Sequence, residues 1–403
     1  MANDLTFTQV ASILNSITQQ ATGQKVLTPV NTSEFVTVGQ TALLNGYDPV
    51  IKAISQVISK TVFSIRPYTR KFKGMEVSQS SWGNHVRKIK IADGSLEEDD
   101  RYKYPVAFDE TEVLNPLGNG KSVDQYTIKK PEFIQTNFYG NNVFQDHITI
   151  FKDQLDVAFS SPEELGRFWA GAMTELSNDM EQDHEIMKRM CIANLVGAVL
   201  VGGTGYQVIH LLTEYNTATD LSLDAQTVMQ PSNFKPFCQW VFARINKACR
   251  MLEERTVMFH QNLTAGNFLR HTPMSAQKIY MIEDFKEQID NLALADTYHD
   301  NYLKLATNEG VAFWQTPLTP TSIKVTPEYL KSDGSTAKYT SAVTAENLVG
   351  IIMDENAAGM TTINKWNMTT PVNASGGYSN MWFHFTDRYW NDTTENVLLL
   401  FLD

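Results

Sequence analysis

The feature that most constrains the fold is one uninterrupted helical pattern that runs from Ser161 to the Gly202-Gly203 pair. Ser161 can cap this helix, Pro162 suits its first turn, and Glu164 completes a Ser-x-x-Glu capping box. Apolar side chains then recur at helical spacing until the two glycines end the run. At 1.5 Å per residue, about 40 residues form a rod roughly 60 Å long. A helix of this length spans the whole molecule, so the rest of the chain has to pack along it.

Three large side chains near the start of this helix are the candidate packing residues. Trp169, Met173 and Leu176 recur at helical spacing, and we predict that they pack on the C-terminal strands. Those strands are "NMWFHFTDRYW" and "VLLLFL", joined by the turn-rich "NDTTEN" as a terminal hairpin. A chain end is usually polar and frayed unless it is tied down. The apolar "VLLLFL" therefore predicts a paired sheet element and not a tail.

Composition indicates a folded protein with about two or three packing units. The chain has 403 residues, of which 42% are hydrophobic and 19% are charged, and no run of about 20 apolar residues suggests a membrane span. The net charge of −12 argues against a dedicated nucleic-acid binder, because that affinity comes chiefly from Lys and Arg. Helices and strands follow each other without regular alternation, which indicates an α+β fold. Within this order, "TGYQVIHLLTEYNTATDLSLDAQTV" is predicted to be loop and strand.

Residues 60–140 show a reversal of charge along the chain. Basic residues dominate positions 60–92, and acidic residues dominate positions 93–112. "VRKIKIA" and "DQYTIKKPEFIQTNFYG" are typical of strands, and the stretch between them predicts the far end of a projecting hairpin. A charged run is most simply a solvated face, but opposite runs side by side also suit docking onto another copy of the same surface. On that hypothesis the interface residues are Arg87, Lys88, Lys90, Glu97, Glu98, Asp99 and Asp100.

The first 60 residues have the pattern of an arm. Short amphipathic periodicity occurs in "ASILNSITQQATG" and "DPVIKAISQVISKTVF", and the extended "QKVLTPVNTSEF" separates the two segments. Pieces of this length cannot bury their apolar faces on each other alone. We predict that they lie along the rest of the protein or along a neighbouring copy.

Motifs that carry chemistry are scarce. One cluster of possible metal ligands lies in "DMEQDHEIMKR" on the long helix: Asp179, Glu181, Asp183, His184 and Glu185. No second ligand cluster stands elsewhere, so we interpret this one as a hydrated helix face. We predict no catalytic residue, no cofactor and no metal. A metal-dependent hydrolase is the alternative from a different class, and it would need these helix acids and His184 to bind an ion.

Several stretches resemble parts of the major capsid proteins of tailed bacteriophages, in particular the short-tailed phages. They are "ALLNGYDPVIKAISQVISKTVFSIRPYTRKFKG", "WGNHVRKIKIAD", "TNFYG", "IFKDQLDVAFSSPEELGRFW" and "FTDRYWNDTTENVLLLFLD". The order of parts also resembles the Hong Kong ninety-seven fold of these proteins: an arm, a charged hairpin, a spine-like helix, a mixed region and a return to strands. The resemblance covers nearly the whole chain.

The resemblance implies a division of the chain. Residues 1–60 would be the N-terminal arm, and residues 61–140 the extended loop with the start of the peripheral domain. Residues 141–203 would be the peripheral domain with its spine helix, residues 204–350 the axial domain, and residues 351–403 a return to the peripheral sheet. In that arrangement "VLLLFL" would pair within the peripheral sheet, under the spine helix.

The resemblance also implies a function. Copies of a major capsid protein would assemble through pentamers and hexamers into an icosahedral shell around double-stranded DNA, in the cytoplasm of a bacterial host. The chain would be located in the virion capsid, would enclose DNA without sequence-specific binding, and would have no membrane partner. A portal protein and scaffolding or decoration proteins would be its further partners. The alternative within this fold is an encapsulin, a nanocompartment shell that encloses cargo proteins.

Overall fold

The computed structural model describes residues 6–23, 28–44, 46–58, 71–76, 86–91, 133–139, 141–263, 269–294 and 307–403. Within these ranges the helices are α1 (Phe7–Thr22), α2 (Thr32–Leu44), α3 (Tyr47–Ile58), α4 (Lys152–Ala158), α5 (Pro162–Gly202), α6 (Leu211–Thr219), α7 (Pro231–Glu253) and α8 (Glu283–Leu294). The strands are β1 (Val86–Ile91), β2 (Phe133–Phe138), β3 (Asn141–Phe151), β4 (Val208–His210), β5 (Gln277–Ile282), β6 (Thr307–Val311), β7 (Ile323–Val325), β8 (Glu328–Leu330), β9 (Thr336–Lys338), β10 (Val343–Ala345), β11 (Leu348–Asp354), β12 (Ala358–Thr369), β13 (Tyr378–Asn391) and β14 (Val397–Phe401).

Helix α5 confirms the long helix predicted from the sequence, with 41 residues. The Ser161 hydroxyl accepts a hydrogen bond from the backbone N–H of Glu164 at 3.2 Å, as a cap does. Near its start, Leu165 belongs to one hydrophobic core, and near its end Leu195 and Val196 are fully buried in another. The helix therefore joins two cores.

The larger core surrounds a five-stranded sheet with the strand order β4-β14-β11-β5-β6. Its central strand, β11, pairs antiparallel with both β14 and β5. Every residue of β11 and of β14 is buried, because helices and loops cover both faces of the sheet. The second sheet has three strands in the order β12-β13-β3, and both pairings are antiparallel.

The C-terminal strands are placed differently from the prediction. "VLLLFL" does form a paired strand, but β13 and β14 are not a hairpin. Strand β13 pairs with β12 and β3, whereas β14 pairs with β11 and β4 in the other sheet. Residues 392–396, which we call the intersheet linker, connect the two. The expected hairpin of these two strands is therefore wrong, because a strand that is apolar on both faces fits the interior of the five-stranded sheet.

The smaller core is built by the N-terminal helices together with the body of the chain. Leu14 of α1, Phe35 of α2 and Ile54 of α3 are fully buried in it. The same cluster contains Ile150 of β3 and Leu165 of α5. Helices α1, α2 and α3 thus pack along the rest of the protein, which is one of the two placements expected for the N-terminal residues.

Strands β1 and β2 pair antiparallel, so the base of the predicted hairpin is confirmed. The stretch between them lies outside the described residues, and with it the predicted interface acids Glu97, Glu98, Asp99 and Asp100. Among the helices that the structure describes, none combines the length and the apolar character that a membrane span requires.

Candidate functional site

The candidate site is the base of the hairpin, which we call the hairpin foot and define as β1 and β2. Alternate side chains of a strand point to opposite faces. One face of the foot carries Arg87 and Ile89, which lie opposite Asn137 and Gln135 of β2. Arg87 is exposed, and Ile89 remains 59% exposed. This outer face is available to a partner.

The other face of the foot carries Lys88 and Lys90, which point at the intersheet linker. The Lys90 Nζ lies 2.8 Å from Asp392 Oδ2 and 2.9 Å from Glu395 Oε1. It also donates a hydrogen bond to the hydroxyl of Thr394. The Lys88 Nζ lies 3.3 Å from the same Asp392 oxygen. Two ammonium groups therefore share one carboxylate, and the contact ties the hairpin to the link between the two sheets.

These positions correct the prediction that Lys88 and Lys90 are exposed. Lys90 is only 8% exposed, and the side chain of Lys88 only 15%. Both lie on the face of β1 that also carries the buried Val86. Their carboxylate partners belong to the same chain. Replacing these lysines by Glu would place a carboxylate beside Asp392 and damage the subunit itself, so the two positions are unsuitable probes of assembly.

The electrostatics of the linker are dominated by Asp392. Its burial acts to raise the pKa of the carboxyl group, but the charges of Lys90 and Lys88 outweigh that effect and hold the pKa well below its ordinary value. The backbone N–H of Thr394 also donates to Asp392 Oδ1, at 3.0 Å. Asp392 is consequently ionised at neutral pH, although its side chain is almost fully buried. A buried charge of this kind requires its partners to stay in place.

A second anchor lies just before the hairpin, at residues 71–76, which we call the strap. The backbone N–H of Lys71 donates to Glu185 of α5 at 3.1 Å, and that of Phe72 donates to Glu309 of β6 at 2.7 Å. Phe72 itself is fully buried, and its ring centroid lies 5.1 Å from that of Tyr280 on β5. The strap is therefore fixed to the long helix and to the five-stranded sheet.

The predicted hydrated face around His184 is wrong in its central part. His184 and Glu185 are 2% and 6% exposed. The His184 Nε2 lies 3.0 Å from Asp387 Oδ2 on β13, and Glu185 pairs with Arg189 at 2.6 Å. This turn of α5 packs on the three-stranded sheet through His184, so its central polar groups face the protein interior and not solvent. Within the described ranges, no three His, Cys, Asp or Glu side chains are grouped so as to hold a metal ion.

The predicted packing residues of the long helix have different outcomes. Trp169 and Met173 lie on α5, but their side chains are outside what the structure describes. Leu176 is partly exposed. Packing of these three residues on the C-terminal strands stays a prediction. Further along α5, Leu195 belongs to the same hydrophobic core as Leu398 of β14. The apolar run "ANLVGAVLVG" is the sequence signal for this buried end of the helix.

The fold has two cores joined by a long helix, and its hairpin is anchored to the linker between the two sheets. This is the fold of phage capsid subunits, as two solved structures indicate. The chain aligns at 11% identity with a chain in the capsid structure of Staphylococcus phage Andhra, covering 85% of this chain and 87% of that one with a TM-score of 0.52. It aligns at 13% identity with a chain in the structure of head fiber and inner core protein gp22 of native bacteriophage P68. That match also covers 85% of this chain and 87% of the other, with a TM-score of 0.50.

The family follows from a match along the sequence itself. The model of the Phi29-like phage major capsid protein family matches residues 10–401, so the chain belongs to that family. It is a structural protein of the phage virion, and copies of it assemble into the capsid shell. Among curated proteins, none matches the chain. The family selects the phage capsid over the encapsulin and the hydrolase that the sequence left as alternatives.

Proposed function

We propose that copies of this chain associate as pentamers and hexamers, which close into an icosahedral shell around double-stranded DNA. The observation that carries this proposal is the family match over residues 10–401. The free energy of the contacts between copies drives assembly of the shell, and the chain catalyses no reaction. Its net charge of −12 suits a container that surrounds DNA without binding a particular sequence, because it offers few cations to neutralise phosphates.

The hairpin would dock on a neighbouring copy through the outer face of its foot. Ile89 is an apolar side chain in the middle of a strand and is 59% exposed, so a neighbouring copy that covers this face would bury it and gain apolar contact area. Arg87 lies on the same face and would pair with an acidic group of the neighbour. Glu97, Glu98, Asp99 and Asp100 remain our candidates for that acidic group. Lys88 and Lys90 would hold the foot in position and would not touch the neighbour.

Assembly of the purified chain tests the shell. We expect large particles in sedimentation velocity and closed shells in negative-stain electron micrographs. A chain that stays monomeric at high concentration, alone and with a scaffolding protein of the same phage, would contradict the proposal. If closed shells form only when the scaffolding protein is added, that protein is a required partner. The composition of the same particles shows whether a portal protein or a decoration protein is incorporated.

A charge reversal tests the outer face. Arg87→Glu should leave the subunit folded and should slow assembly, most strongly at low salt, because screening weakens interactions between exposed charges. The matched control is Arg167→Glu, since the Arg167 side chain is 77% exposed and belongs to α5 and not to the hairpin. Equal assembly rates for the two variants at every salt concentration would exclude the outer face as an electrostatic contact.

A further inference from the structure

The unit formed by α6 and α7 carries an open groove on its surface. The groove has a volume of about 500 Å³ and lies between the two helices. Thr217 and Ala218 line it from α6, and Trp240, Ala243 and Lys247 line it from α7. Ala243 and Lys247 are exposed, and Trp240 is partly buried. The floor of the groove is therefore apolar, and a cation stands at its rim.

The charge of the groove is positive because its acid is already neutralised. Glu214 accepts two hydrogen bonds from Arg244, with Nε at 2.5 Å from Oε2 and Nη2 at 3.1 Å from Oε1. Because this bidentate ion pair neutralises Glu214 and Arg244, the exposed ammonium of Lys247 is the charge that a binding partner contacts in the groove. Arg250 is exposed three residues further along α7 and extends the same basic face.

The connection from α6 to α7 carries the complementary features. We call residues 220–230 the prong. Its acids, Asp220 and Asp224, are exposed, and its apolar side chains Leu221 and Met229 are 44% and 48% exposed. The prong thus combines negative charge with apolar surface, whereas the groove combines positive charge with apolar surface.

Hydrogen bonds hold the prong in one shape. The side chain of Asn216 donates to the carbonyl of Leu223 at 2.8 Å and accepts from its N–H at 3.0 Å. The side chain of Asn233 donates to the carbonyl of Thr227 at 3.0 Å. Val228 is fully buried in the larger core and anchors the base. A segment ordered in this way loses little conformational entropy when it binds.

The charge on the prong is fixed by the same kind of contact. Asp224 accepts hydrogen bonds from the backbone N–H and the hydroxyl of Thr227, both at 2.7 Å, and from the N–H of Gln226 at 3.1 Å. These bonds lower the pKa of Asp224 below its ordinary value. The carboxylate therefore presents a full negative charge to a partner at neutral pH.

We propose that the prong of one copy docks in the groove between α6 and α7 of the next copy. Leu221 and Met229 lie against Trp240 and Ala243, and Asp224 faces Lys247. Prong and groove are different surfaces of one subunit, so the contact is heterologous, and in a pentamer or hexamer it would repeat around the ring of copies. Charge complementarity selects a second copy as the occupant. The inference rests on the proposed function, since it names a contact that shell assembly would use.

Cysteine pairs test the contact directly. The native cysteines Cys191, Cys238 and Cys249 are all buried, so disulfides between copies would come from the engineered cysteines. We expect assembled Leu221→Cys/Ala243→Cys shells to give a ladder of covalent multimers on mild oxidation, because a disulfide needs Cα atoms within about 7 Å. Each single variant should give no ladder. The matched control is Leu318→Cys/Ala243→Cys, since Leu318 is 90% exposed on a turn outside the prong, and it should give none either.

Charge reversal provides the second measurement. Lys247→Glu should slow assembly at low salt on the order of tenfold, and adding Asp224→Lys should restore the rate, because like charges across an interface oppose association and opposite charges speed it. Asp333→Lys is the control for the second reversal, since Asp333 is also an exposed aspartate that accepts bonds from a turn, here from Ser335. Asp333→Lys should not rescue Lys247→Glu.

The outcomes separate the inference from the function on which it rests. Closed shells in which the double-cysteine variant gives no more ladder than the Leu318 control would overturn the docking of the prong and leave shell assembly intact. The same holds if Asp333→Lys rescues Lys247→Glu as well as Asp224→Lys does. A parent chain that forms no shell would contradict the proposed function and the inference together.

Discussion

Replacing Lys90 by Met removes the central cation of the intersheet linker and keeps most of the length of the side chain. In the native protein the Lys90 ammonium lies 2.8 Å from Asp392 and 2.9 Å from Glu395. After the substitution Asp392 stays buried and keeps its hydrogen bonds from Thr394, but its nearest cation is then the more distant Lys88, at 3.3 Å. The change therefore tests whether the hairpin foot is held by buried charge.

The magnitude follows from the burial of the pair. Breaking a buried ion pair by removing one partner costs about 3–5 kcal/mol. Lys88 compensates Asp392 in part, so we expect the lower end, about 3 kcal/mol of unfolding free energy, for Lys90→Met. Lys88→Met leaves the shorter contacts of Lys90 in place and should cost about 1–2 kcal/mol. Arg87→Met, on the exposed face of the same strand, should change stability by less than about 0.5 kcal/mol.

Urea unfolding of unassembled subunits, followed by tryptophan fluorescence, measures the three variants under one condition. Hydrogen exchange of the amides in β1 and in the intersheet linker localises the effect, because local opening free energies report the unit that was weakened. We expect the order Lys90, then Lys88, then Arg87 in both measurements. If Lys90→Met unfolds at the same urea concentration as Arg87→Met, the buried contact does not stabilise the subunit and the reasoning is refuted.

The pH dependence of this difference has a definite sign. The folded-state pKa of Asp392 is lowered from its ordinary value of 3.8. A carboxyl group with a lowered pKa contributes stability that is complete above the unfolded pKa and is lost as the pH falls through the folded pKa. Lys90→Met removes the largest charge that lowers this pKa, so Asp392 takes up a proton at a higher pH in the variant than in the native protein. The gap between the two proteins should therefore shrink as the pH falls, and a gap that is as large at about pH 3 as at about pH 7 would assign the effect to another group.

Two further substitutions test the packing of α5. Gly197→Ala would place a Cβ atom 2.6 Å from Cγ1 of Val325, so it should lower the free energy of unfolding in urea by about 1–3 kcal/mol. A Cβ atom at Gly171 would have no neighbouring atom within 4 Å, so Gly171→Ala should leave that free energy unchanged or raise it by up to about 1 kcal/mol. Leu195→Ala should lower the unfolding free energy by about 2–5 kcal/mol. Leu176→Ala should lower it clearly less, because Leu176 is partly exposed. Equal melting temperatures for the two leucine variants would show that the buried end of α5 is not its main packing contact.

Local patterns were enough to predict the elements whose signals lie close together in the chain. The long helix carries its cap, its apolar period and its terminating glycines within one stretch, and α5 has the predicted start at Pro162. The apolar "VLLLFL" predicts a paired strand wherever it is placed, because such a run left unpaired at the surface would be a site of aggregation. The alternation of β1 and the turn-rich stretch after it indicate a hairpin.

The orientation of β1 could not be predicted locally. In "VRKIKIA" the isoleucines suggest that Ile89 faces the core and the lysines face solvent. The structure has the reverse orientation, because Lys90 finds Asp392 at a sequence separation of 302 residues. Burial of a lysine is favourable only when such a partner is present. The predicted exposure of the interface lysines was wrong for this reason.

Helix α6 and the last two strands show the same limit. Threonine is a weak helix former, so the stretch around Leu211 favoured loop and strand. The helix forms because Leu211 and Leu212 are buried and the backbone N–H of Thr213 donates to the carbonyl of Asp403 at 3.0 Å. The turn-rich "NDTTEN" likewise favoured a hairpin, but the choice of sheet was decided by the core that each strand fits.

The intersheet linker connects the two sheets, the loop after α7 and the hairpin foot. Its two ends belong to different sheets, and the carbonyl of Thr393 accepts a hydrogen bond at 2.9 Å from the N–H of Gln261, in the loop that follows α7. Its Asp392 receives both lysines of β1. Rotating the hairpin foot against the sheets would therefore withdraw two cations from a buried carboxylate, a change that removal of even one partner makes costly. The foot is thus a fixed part of the subunit body, and differences between neighbouring copies in a shell must be absorbed elsewhere in the chain.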